Sequence, residues 1–318
     1  MPFRVFRSLD ELPADFGPSV VTIGNFDGVH AGHRELMKRA VEIAREHASW
    51  QPSVLTFDPH PSTLVAPARA PKLLTSMDTR LEQMREVGIR QVFILPFTWD
   101  VARLTPETFV GQLLVAAMKA RAIVIGDNFR FGHKQSGDTA RLRELGELHG
   151  FRTEVVGAVT RRSLLVSSTE IRKLLGIGNV TKANRLLQRP YSLTGPVVSG
   201  HGIGRSKTVP TLNIQPPSEV LPAQGVYITC TTDAYAPSRQ WNSITNLGVR
   251  PTFEGHELAI ETFLLTPFDG VDPKRIRIDF LRRVREERKF DSREELKSQI
   301  MRDVARAQAF FRRIPKTA

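Results

Sequence analysis

His30 and His33 stand three residues apart in the stretch TIGNFDGVHAGH, where an apolar run gives way to a helical pattern. Side chains three apart share one face of a helix, so both rings lie on the same side of its first turn. The glycine-rich loop before such a helix offers backbone N–H groups and a positive dipole end to a phosphate chain. Taken alone, the pattern fits two interpretations about equally: a site for phosphate chemistry, and a tight strand-to-helix turn shaped by Gly24, Gly28 and Gly32.

A metal site is the weaker interpretation of the same two histidines. A zinc-binding pair usually occurs as H-E-x-x-H on a helix with a third ligand, and that pattern is absent here. We therefore expect His30 and His33 to be hydrogen-bond donors to a phosphorus centre whose negative charge grows during displacement.

Three further stretches carry polar side chains at comparable places in the chain: TFDPHP from Thr56, GDNFRFGHKQSGD from Gly126 and SSTEIRKLL from Ser167. In the last one, an N-cap hydroxyl, its neighbour and an arginine one turn later could converge on phosphate oxygens. Taken singly, that stretch is better interpreted as an ordinary capped amphipathic helix. Four such loops at the ends of successive strands favour a shared site.

The first half of the chain alternates buried strand patterns with amphipathic helix patterns, which predicts an α/β, doubly wound, mostly parallel sheet. Ligands of such sheets bind beyond the carboxyl ends of the strands, where the polar loops fall. The predicted strands are 19–24, 52–57, 91–97 and 122–126, and the predicted helices begin near Arg34, Thr79, Pro106 and Ala140.

The pattern changes near Leu187 to short β-rich runs separated by Gly and Pro, which predicts a small antiparallel β-barrel. A C-terminal helix follows, with Ser292 and Glu295 forming a capping box. We therefore predict two domains, 1–187 and 188–318.

The net charge of +12 attracts anions, namely nucleic acid, anionic lipid or phosphorylated ligands. Because only 8% of residues are aromatic and no aromatic-interleaved basic patch occurs, small polyanions explain the charge better than nucleic acid. No apolar run reaches the roughly 18 residues of a membrane span, and the N-terminus has no signal-peptide core. With Cys230 as its one cysteine, the chain is expected in the reducing cytoplasm, as a monomer or weak oligomer.

The ordered motifs IGNFDGVHAGH, TFDPHP, GDNFRFG and SSTEIR resemble those of the bifunctional prokaryotic riboflavin kinase/FAD synthetase family. The resemblance covers nearly the whole chain. It implies an H-x-G-H nucleotidyltransferase-like first domain, which transfers AMP from ATP to FMN to form FAD and pyrophosphate. The FMN phosphate is already an anionic nucleophile, so catalysis needs in-line positioning and charge neutralisation, with Mg²⁺ on the leaving group.

The same resemblance implies roles for particular residues of the first domain. His30 and His33 would be catalytic and would contact the ATP phosphates. The other implied ATP-binding residues are Gly24, Asn25, Phe26, Asp27, Gly28, Ser168, Thr169 and Arg172. The implied flavin-binding residues are Asp58, His60, Asn128 and Arg130.

The stretch GHGIGRSKTVPTLNI is a glycine-rich run between two predicted strands, a context that excludes Walker and Rossmann motifs. Alone it fits a long hairpin loop, but the order PTLN, NLGVRPTF and IETFLL resembles the riboflavin kinase module. The resemblance implies a catalytic Glu261 that accepts the proton of the ribityl 5′-hydroxyl as that group attacks the γ-phosphate. The implied ATP and Mg²⁺ ligands of this module are Gly202, Gly204, Arg205, Thr211 and Asn213, with Thr211 on the metal.

The kinase module departs from the family pattern at three positions. Thr208 replaces a glycine, Leu212 replaces an alanine and Pro267 follows the glutamate motif. Thr208 cannot adopt a positive φ at low cost. This substitution puts the loop geometry and the rate of the kinase module in question more than AMP transfer by the first domain. The leading hypothesis is a bifunctional enzyme. The alternatives are an FAD synthetase with a weak kinase barrel and a basic nucleic-acid-binding protein.

Overall fold

The computed structural model describes residues 2–198, 211–252, 255–266 and 271–313. These residues form two compact units that divide between Ser168 and Thr169.

The first unit is built on a parallel sheet with the strand order β1-β4-β3-β2-β5-β6. This confirms the predicted doubly wound α/β architecture. Its elements are β1 (Arg4–Phe6), β2 (Ser19–Ile23), α1 (Ala31–Arg45), β3 (Gln51–Asp58), α2 (Pro61–Val65), α3 (Met77–Val87), β4 (Gln91–Pro96), α4 (Trp99–Ala102), α5 (Pro106–Thr108), a π-helix (Phe109–Ala117), β5 (Ala120–Gly126), α6 (Thr139–His149), β6 (Arg152–Val156), β7 (Thr160–Arg161) and β8 (Leu164–Leu165), with short 3₁₀ turns at Leu9–Glu11, Pro67–Arg69 and His133–Gln135.

Strand β2 is buried along its whole length because helices cover both faces of the sheet. Val21 and Ile23 pack into the apolar cluster on one face, and Val20 packs with Ala40 and Ile43 of α1 on the other. A fully buried strand needs a continuous apolar run, which is why this strand was recognisable in the sequence.

The helix predicted from Pro106 differs from the observed one. Thr105 caps a single α-helical turn, and from Phe109 the chain continues as a π-helix. The N–H of Met118 donates to the carbonyl of Leu113 at 3.0 Å, five residues back. The buried side chains of this segment are Phe109, Val110, Leu113 and Leu114.

The second unit contains a closed antiparallel barrel in the strand order β10-β13-β12-β11-β14-β9, as predicted. Its elements are α7 (Ser168–Gly176), which begins at the division itself, α8 (Val180–Leu187), β9 (Tyr191–Val198), β10 (Thr211–Ile214), β11 (Gly225–Asp233), β12 (Gln240–Thr252), β13 (Gly255–Leu264), β14 (Arg275–Arg285) and α9 (Arg293–Arg313). Before α9, the Ser292 hydroxyl accepts from the N–H of Glu295 at 3.1 Å, as the predicted cap requires.

Helices α7 and α8 belong to the compact unit that contains the barrel. The N–H of Ala223 donates to the carbonyl of Leu175 at 2.9 Å. Asn184 of α8 donates to the carbonyl of Phe280 and accepts from the N–H of Tyr191, both at 2.7 Å. The compact units therefore divide before these helices, whereas the domain boundary at 187/188 stays a prediction about sequence modules.

The two faces of the barrel strands have different surroundings. Inside, a chain of buried hydroxyls runs through Thr231, Ser243, Thr229, Thr245 and Thr262, with neighbouring oxygens 2.8–2.9 Å apart. Outside, α9 covers an apolar patch formed by alternate residues of the same strands. Successive side chains of a strand point to opposite faces, so the burial pattern fixes which residues face outward.

Candidate functional site

The loop between β2 and α1 has an unusual backbone. Phe26 and Val29 have φ values of 49° and 37°, and Gly28 has a φ of 83°. Positive φ is costly for bulky and β-branched residues and persists only where the surroundings enforce it. Both Phe26 and Val29 are buried in the core next to α1, which holds the loop in this shape.

Asp27 ties this loop to the segment before α3. Its carboxylate is 2% exposed and accepts from the backbone N–H groups of Leu74, at 2.9 and 3.1 Å, and Thr75, at 3.3 Å. The N–H of Gly28 donates to the Thr75 hydroxyl at 3.1 Å. The Asp27 carboxylate is thus engaged with backbone, and the Phe26 ring is buried, so these two predicted ATP ligands support the loop from within.

His30 is the N-cap of α1. Its Nδ1 accepts from the backbone N–H of His33 at 3.3 Å, so a neutral His30 carries its proton on Nε2. The two imidazole rings stack with centroids 3.6 Å apart and an angle of 16° between their planes. The sequence prediction that both rings share one side of the helix is confirmed.

The glycine between the histidines leaves room for this stack. A Cβ at Gly32 would lie 3.3 Å from both Cε1 and Nδ1 of His30, closer than side chains normally approach. The H-x-G-H spacing therefore provides a helical turn and the space for the first ring.

His33 lies in surroundings that oppose a positive charge. Burial, followed by the nearby His30 and Arg80, lowers the pKa of His33 well below 6.5. Phe26 packs against the His33 ring edge-on at 5.2 Å, and the buried Nδ1 has no hydrogen-bond partner among the described residues. A neutral imidazole with a buried, unpaired nitrogen is suited to bind a polar ligand group.

Arg80 of α3 was missed by sequence reasoning. It is 2% exposed, and its Nη1 donates to the carbonyl of Asn25 at 3.0 Å. Burial lowers the pKa of the guanidinium, an effect that the charges of Asp27 and Asp58 oppose. The sequence did contain a signal for it, because this arginine falls on the apolar side of the helix pattern that includes Met77 and Met84.

The other predicted loops lie at the same carboxyl edge of the parallel sheet. Asp58, at the end of β3, is exposed, and Nδ1 of His60 caps α2 by accepting from the N–H of Ser62 at 3.2 Å. Beyond β5, Asn128 and Arg130 are both exposed, and Arg130 pairs with Asp138 at 3.3 Å.

Ser168 joins the H-x-G-H loop directly, because its hydroxyl donates to the carbonyl of Asp27 at 2.8 Å. It stands in the first turn of α7 rather than at the predicted N-cap. Thr169 is exposed and Arg172 is half-buried, and both belong to the second compact unit. Their convergence on one phosphate chain with His30 stays a prediction.

In the second unit, strand register gathers the predicted kinase residues. Asn213 of β10 pairs with Glu261 of β13, which pairs on its other side with Asn246 of β12. Directly opposed residues share one face, and here the alternation directs all three away from the hydroxyl-lined interior. Thr211 lies two residues before Asn213 on the same face. Asn246 was not predicted as a site residue. The signal in the sequence was the two-residue alternation along NLG, which places Asn246 on the face opposite to Leu247.

The departures from the family pattern divide into two groups. Leu212 is buried inside the barrel, opposite Thr262 in the strand register, so the larger side chain serves the core. Gly202, Gly204, Arg205, Thr208 and Pro267 lie outside the described residues. The described residues include no group of three or more His, Cys, Asp or Glu side chains that could hold a metal ion.

Comparison with known protein families finds a match in each half of the chain. The FAD synthetase family model matches residues 12–170, and the riboflavin kinase family model matches residues 187–311.

Full-length relatives agree with these two matches. The bifunctional riboflavin kinase/FMN adenylyltransferase of Escherichia coli K12 is 34% identical over 97% of both chains. The protein of the same name from Pseudomonas fluorescens is also 34% identical, over 96% of this chain and 97% of its own. A crystal structure from Streptococcus pneumoniae, named a macrolide-efflux protein, is 26% identical with a TM-score of 0.84 over 96% of this chain and 98% of that one. No helix in the described part of the present chain has the length and apolar character to cross a bilayer.

The environment of His33 makes a direct prediction. We expect its imidazole to take up a proton below pH 6.5 in the folded protein, because burial and the adjacent cationic groups oppose the charge. A ¹⁵N NMR titration, with the signal assigned through His33→Gln, measures this. In urea-unfolded protein the same ring should titrate at about 6.5. A folded-state value at or above that of the unfolded chain contradicts the described site.

Proposed function

The chain belongs to the bifunctional riboflavin kinase/FMN adenylyltransferase family, and from that premise we propose which residues carry out each reaction. The enzyme phosphorylates riboflavin to FMN with ATP and transfers AMP from a second ATP to FMN, which yields FAD and pyrophosphate. We assign AMP transfer to the H-x-G-H loop of the first unit and phosphorylation to the outward face of β10 and β13.

The stacked pair His30 and His33 supports the first assignment most strongly. An FMN phosphate oxygen attacks the α-phosphorus of ATP, and the bond from that phosphorus to the bridging oxygen breaks to release pyrophosphate. No proton has to leave the nucleophile, so the site needs donors to the growing negative charge. The Nε2–H of His30, the neutral ring of His33 and the N-terminus of α1 supply them.

The remaining residues of the first site hold the ligands. We propose that Gly24, Asn25 and Gly28 bind ATP through the loop backbone, while Phe26 and Asp27 maintain the loop conformation. The Ser168 hydroxyl donates to the loop carbonyl of Asp27, and we propose that Thr169 and Arg172, which follow it in the sequence of α7, bind the triphosphate. The side chains at the neighbouring strand ends, the exposed Asp58, Asn128 and Arg130 and the half-buried His60, are proposed to place FMN.

Glu261 supports the second assignment. A ribityl hydroxyl, unlike a phosphate oxygen, is a poor nucleophile and must lose its proton as it attacks the γ-phosphorus of ATP. The Glu261 carboxylate accepts that proton, the new oxygen–phosphorus bond forms, and ADP leaves. Gly202, Gly204 and Arg205 remain proposed ATP ligands on the strength of the sequence.

Mg²⁺ is the metal proposed for the kinase site. The Thr211 hydroxyl and the Asn213 side-chain oxygen lie on one face of β10, and Glu261 stands opposite Asn213. Mg²⁺ prefers oxygen ligands and is usually held by one or two protein groups together with substrate phosphates, so this donor set fits. When bound, the ion would neutralise charge on the ATP phosphates; Thr211 and Asn213 would hold it.

We further propose that the enzyme acts in the cytoplasm as a monomer or weak oligomer, without nucleic acid or membrane partners. Arginines of both units are engaged by acids of the same unit: Arg141 with Glu107 at 2.7 Å, and Arg285 with Asp303 at 2.8 Å. Such pairing leaves less basic surface for a nucleic acid backbone than the net charge suggests. The alternative of a weak kinase barrel is tested by the first experiment below.

The two-site assignment predicts separable losses. His30→Ala should abolish FAD formation and spare riboflavin phosphorylation, because it removes a donor from one site alone. Glu261→Ala should abolish phosphorylation and spare the conversion of supplied FMN to FAD. An HPLC time course of riboflavin, FMN and FAD measures both. Loss of both activities in a folded variant contradicts the assignment, and no FMN from wild type would favour the weak-kinase alternative.

Gly32→Ala should slow FAD formation without lowering the melting temperature of the protein. The new Cβ displaces the His30 ring, so FAD formation should slow by about tenfold or more, since small misplacements are costly in catalysis. Alanine also favours the helix over glycine, by up to about 1 kcal/mol, so the melting temperature should not fall. Gly111→Ala is the matched control, since its Cβ would enter open space. Equal FAD-forming rates in the two variants would argue against the role given to the stack.

Asn213→Ala should raise the Mg²⁺ concentration that gives half-maximal riboflavin phosphorylation, by about tenfold or more, because an oxygen ligand is lost. The measurement is a Mg²⁺ titration of the phosphorylation rate at fixed ATP. Asn242→Ala, an exposed position on β12, serves as the control. An unchanged Mg²⁺ dependence would exclude Asn213 as a ligand.

A further inference from the structure

We propose that Arg80 is a positioning residue for AMP transfer, which fixes the Gly24–His30 loop through Asn25 and places a permanent positive charge beside His33. The inference rests on the function proposed above for His33. It concerns a residue of α3 that none of the sequence motifs contains.

The contact with Asn25 is direct. The Nη1 of Arg80 donates to the Asn25 carbonyl at 3.0 Å, and the Thr56 hydroxyl donates to the same oxygen at 3.4 Å. The carbonyl is therefore held from α3 on one side and from β3 on the other. Asn25 stands one residue before Phe26, where the backbone turns into positive φ, so its orientation sets the path of the loop.

Arg80 is a charged group in a buried position. It is 2% exposed in a helix whose other buried residues are Gln83 and Met84, both uncharged, and its Nε has no hydrogen-bond partner among the described residues. Burial of a guanidinium with an unpaired N–H opposes folding, and an uncharged residue such as glutamine or methionine would avoid that cost. The sequence retains the charge, which points to a role for the charge itself.

The groups whose charge acts on His33 lie in its own helix turn and on α3. His30, in the same turn, and Arg80, from α3, both oppose protonation of His33. The carboxylates of Asp27, in the loop, and Asp58, at the end of β3, face Arg80 and offset its charge. Arg80 therefore favours the neutral imidazole, whereas its removal moves the pKa of His33 upward.

The influence of Arg80 on the pKa of His33 predicts the direction in which the pH dependence of FAD formation changes. A neutral His33 is the active form, so FAD formation declines as the pH falls through the pKa of His33. Loss of the Arg80 charge raises that pKa and shifts the acid limb of the rate profile to higher pH. If Arg80 only packed against its neighbours, its removal would lower the rate of FAD formation without shifting the acid limb of the pH–rate profile.

The experiment compares Arg80→Gln, Arg80→Lys and Arg85→Gln in the full-length enzyme. Arg85 is exposed on the same helix, so its variant removes an equal charge at a distance from the loop. The readouts are kcat and KM for FAD formation across pH, at matched ATP and FMN so that substrate ionisation cancels. Thermal unfolding measures the folding of each variant, and riboflavin phosphorylation serves as a control for the second unit.

Arg80→Gln should lower kcat for FAD formation by about 10- to 100-fold, because the loop loses its anchor, and should move the acid limb to higher pH. Arg80→Lys should keep the wild-type limb but lose kcat, since it retains the charge without the planar fork. Arg85→Gln should match wild type. Riboflavin phosphorylation should be unchanged in all three.

A wild-type rate in Arg80→Gln, or a lower rate with an unmoved acid limb, overturns the proposal. If Arg80→Gln fails to fold, Arg80→Lys decides: a shifted limb or a wild-type kcat overturns it. The His33→Ala variant distinguishes a failure of the function proposed for His33 from a failure of the role proposed for Arg80. Retained FAD formation in that variant would refute the function proposed for His33, whereas an inactive His33→Ala beside an unmoved limb in Arg80→Gln refutes only the role of Arg80.

Discussion

The buried carboxylate of Asp27 is the interaction on which the first site depends. A carboxylate is costly to bury unless hydrogen bonds replace its water, and here the backbone N–H groups of Leu74 and Thr75 do so. The same residue offers its carbonyl to Ser168, and its charge faces Arg80. Through its side chain and its backbone carbonyl, this one residue joins three segments that are distant in sequence and stabilises a backbone that would otherwise be strained. The histidine stack begins three residues later and takes its place from that loop.

In the second unit, the governing constraint is the two-residue period of a strand. The residues that alternate with Thr262 along β13 must face outward, and antiparallel register then brings Glu261 level with Asn213 and Asn246. The interior hydroxyl chain and the apolar patch under α9 fix that register from both sides. A slip by one residue would bury Glu261 among hydroxyls and expose Thr262, so packing of the barrel specifies the chemistry on its surface.

Much of this arrangement could be read from sequence, because buried parallel strands and barrel strands leave strong periodic patterns. The loops at the carboxyl ends of β2, β3 and β5 followed from that alternation. The support beneath them did not follow. The partners of Asp27 lie 47 and 48 residues away, and the Arg80–Asn25 contact spans 55, so no local pattern encodes either. The π-helix was missed for a related reason, since its five-residue spacing resembles an ordinary amphipathic helix until tertiary packing selects it.

The two reactions of the enzyme place opposite demands on their sites, and the two folds meet them differently. FMN presents an anionic phosphate as nucleophile, so the first site has to tolerate negative charge and needs neutral or positive donors. In the proposed first site, a helix N-terminus and two imidazoles meet that need, and the buried guanidinium of Arg80 supports their loop. Riboflavin presents a neutral hydroxyl, so the second site needs a group that removes a proton, and the role proposed for the Glu261 carboxylate beside amide and hydroxyl oxygens meets it. At the same edge of the sheet, the Asp27 carboxylate accepts from the backbone N–H groups of Leu74 and Thr75, so its charge stabilises the loop, whereas the exposed Asp58 is the carboxylate proposed to contact FMN.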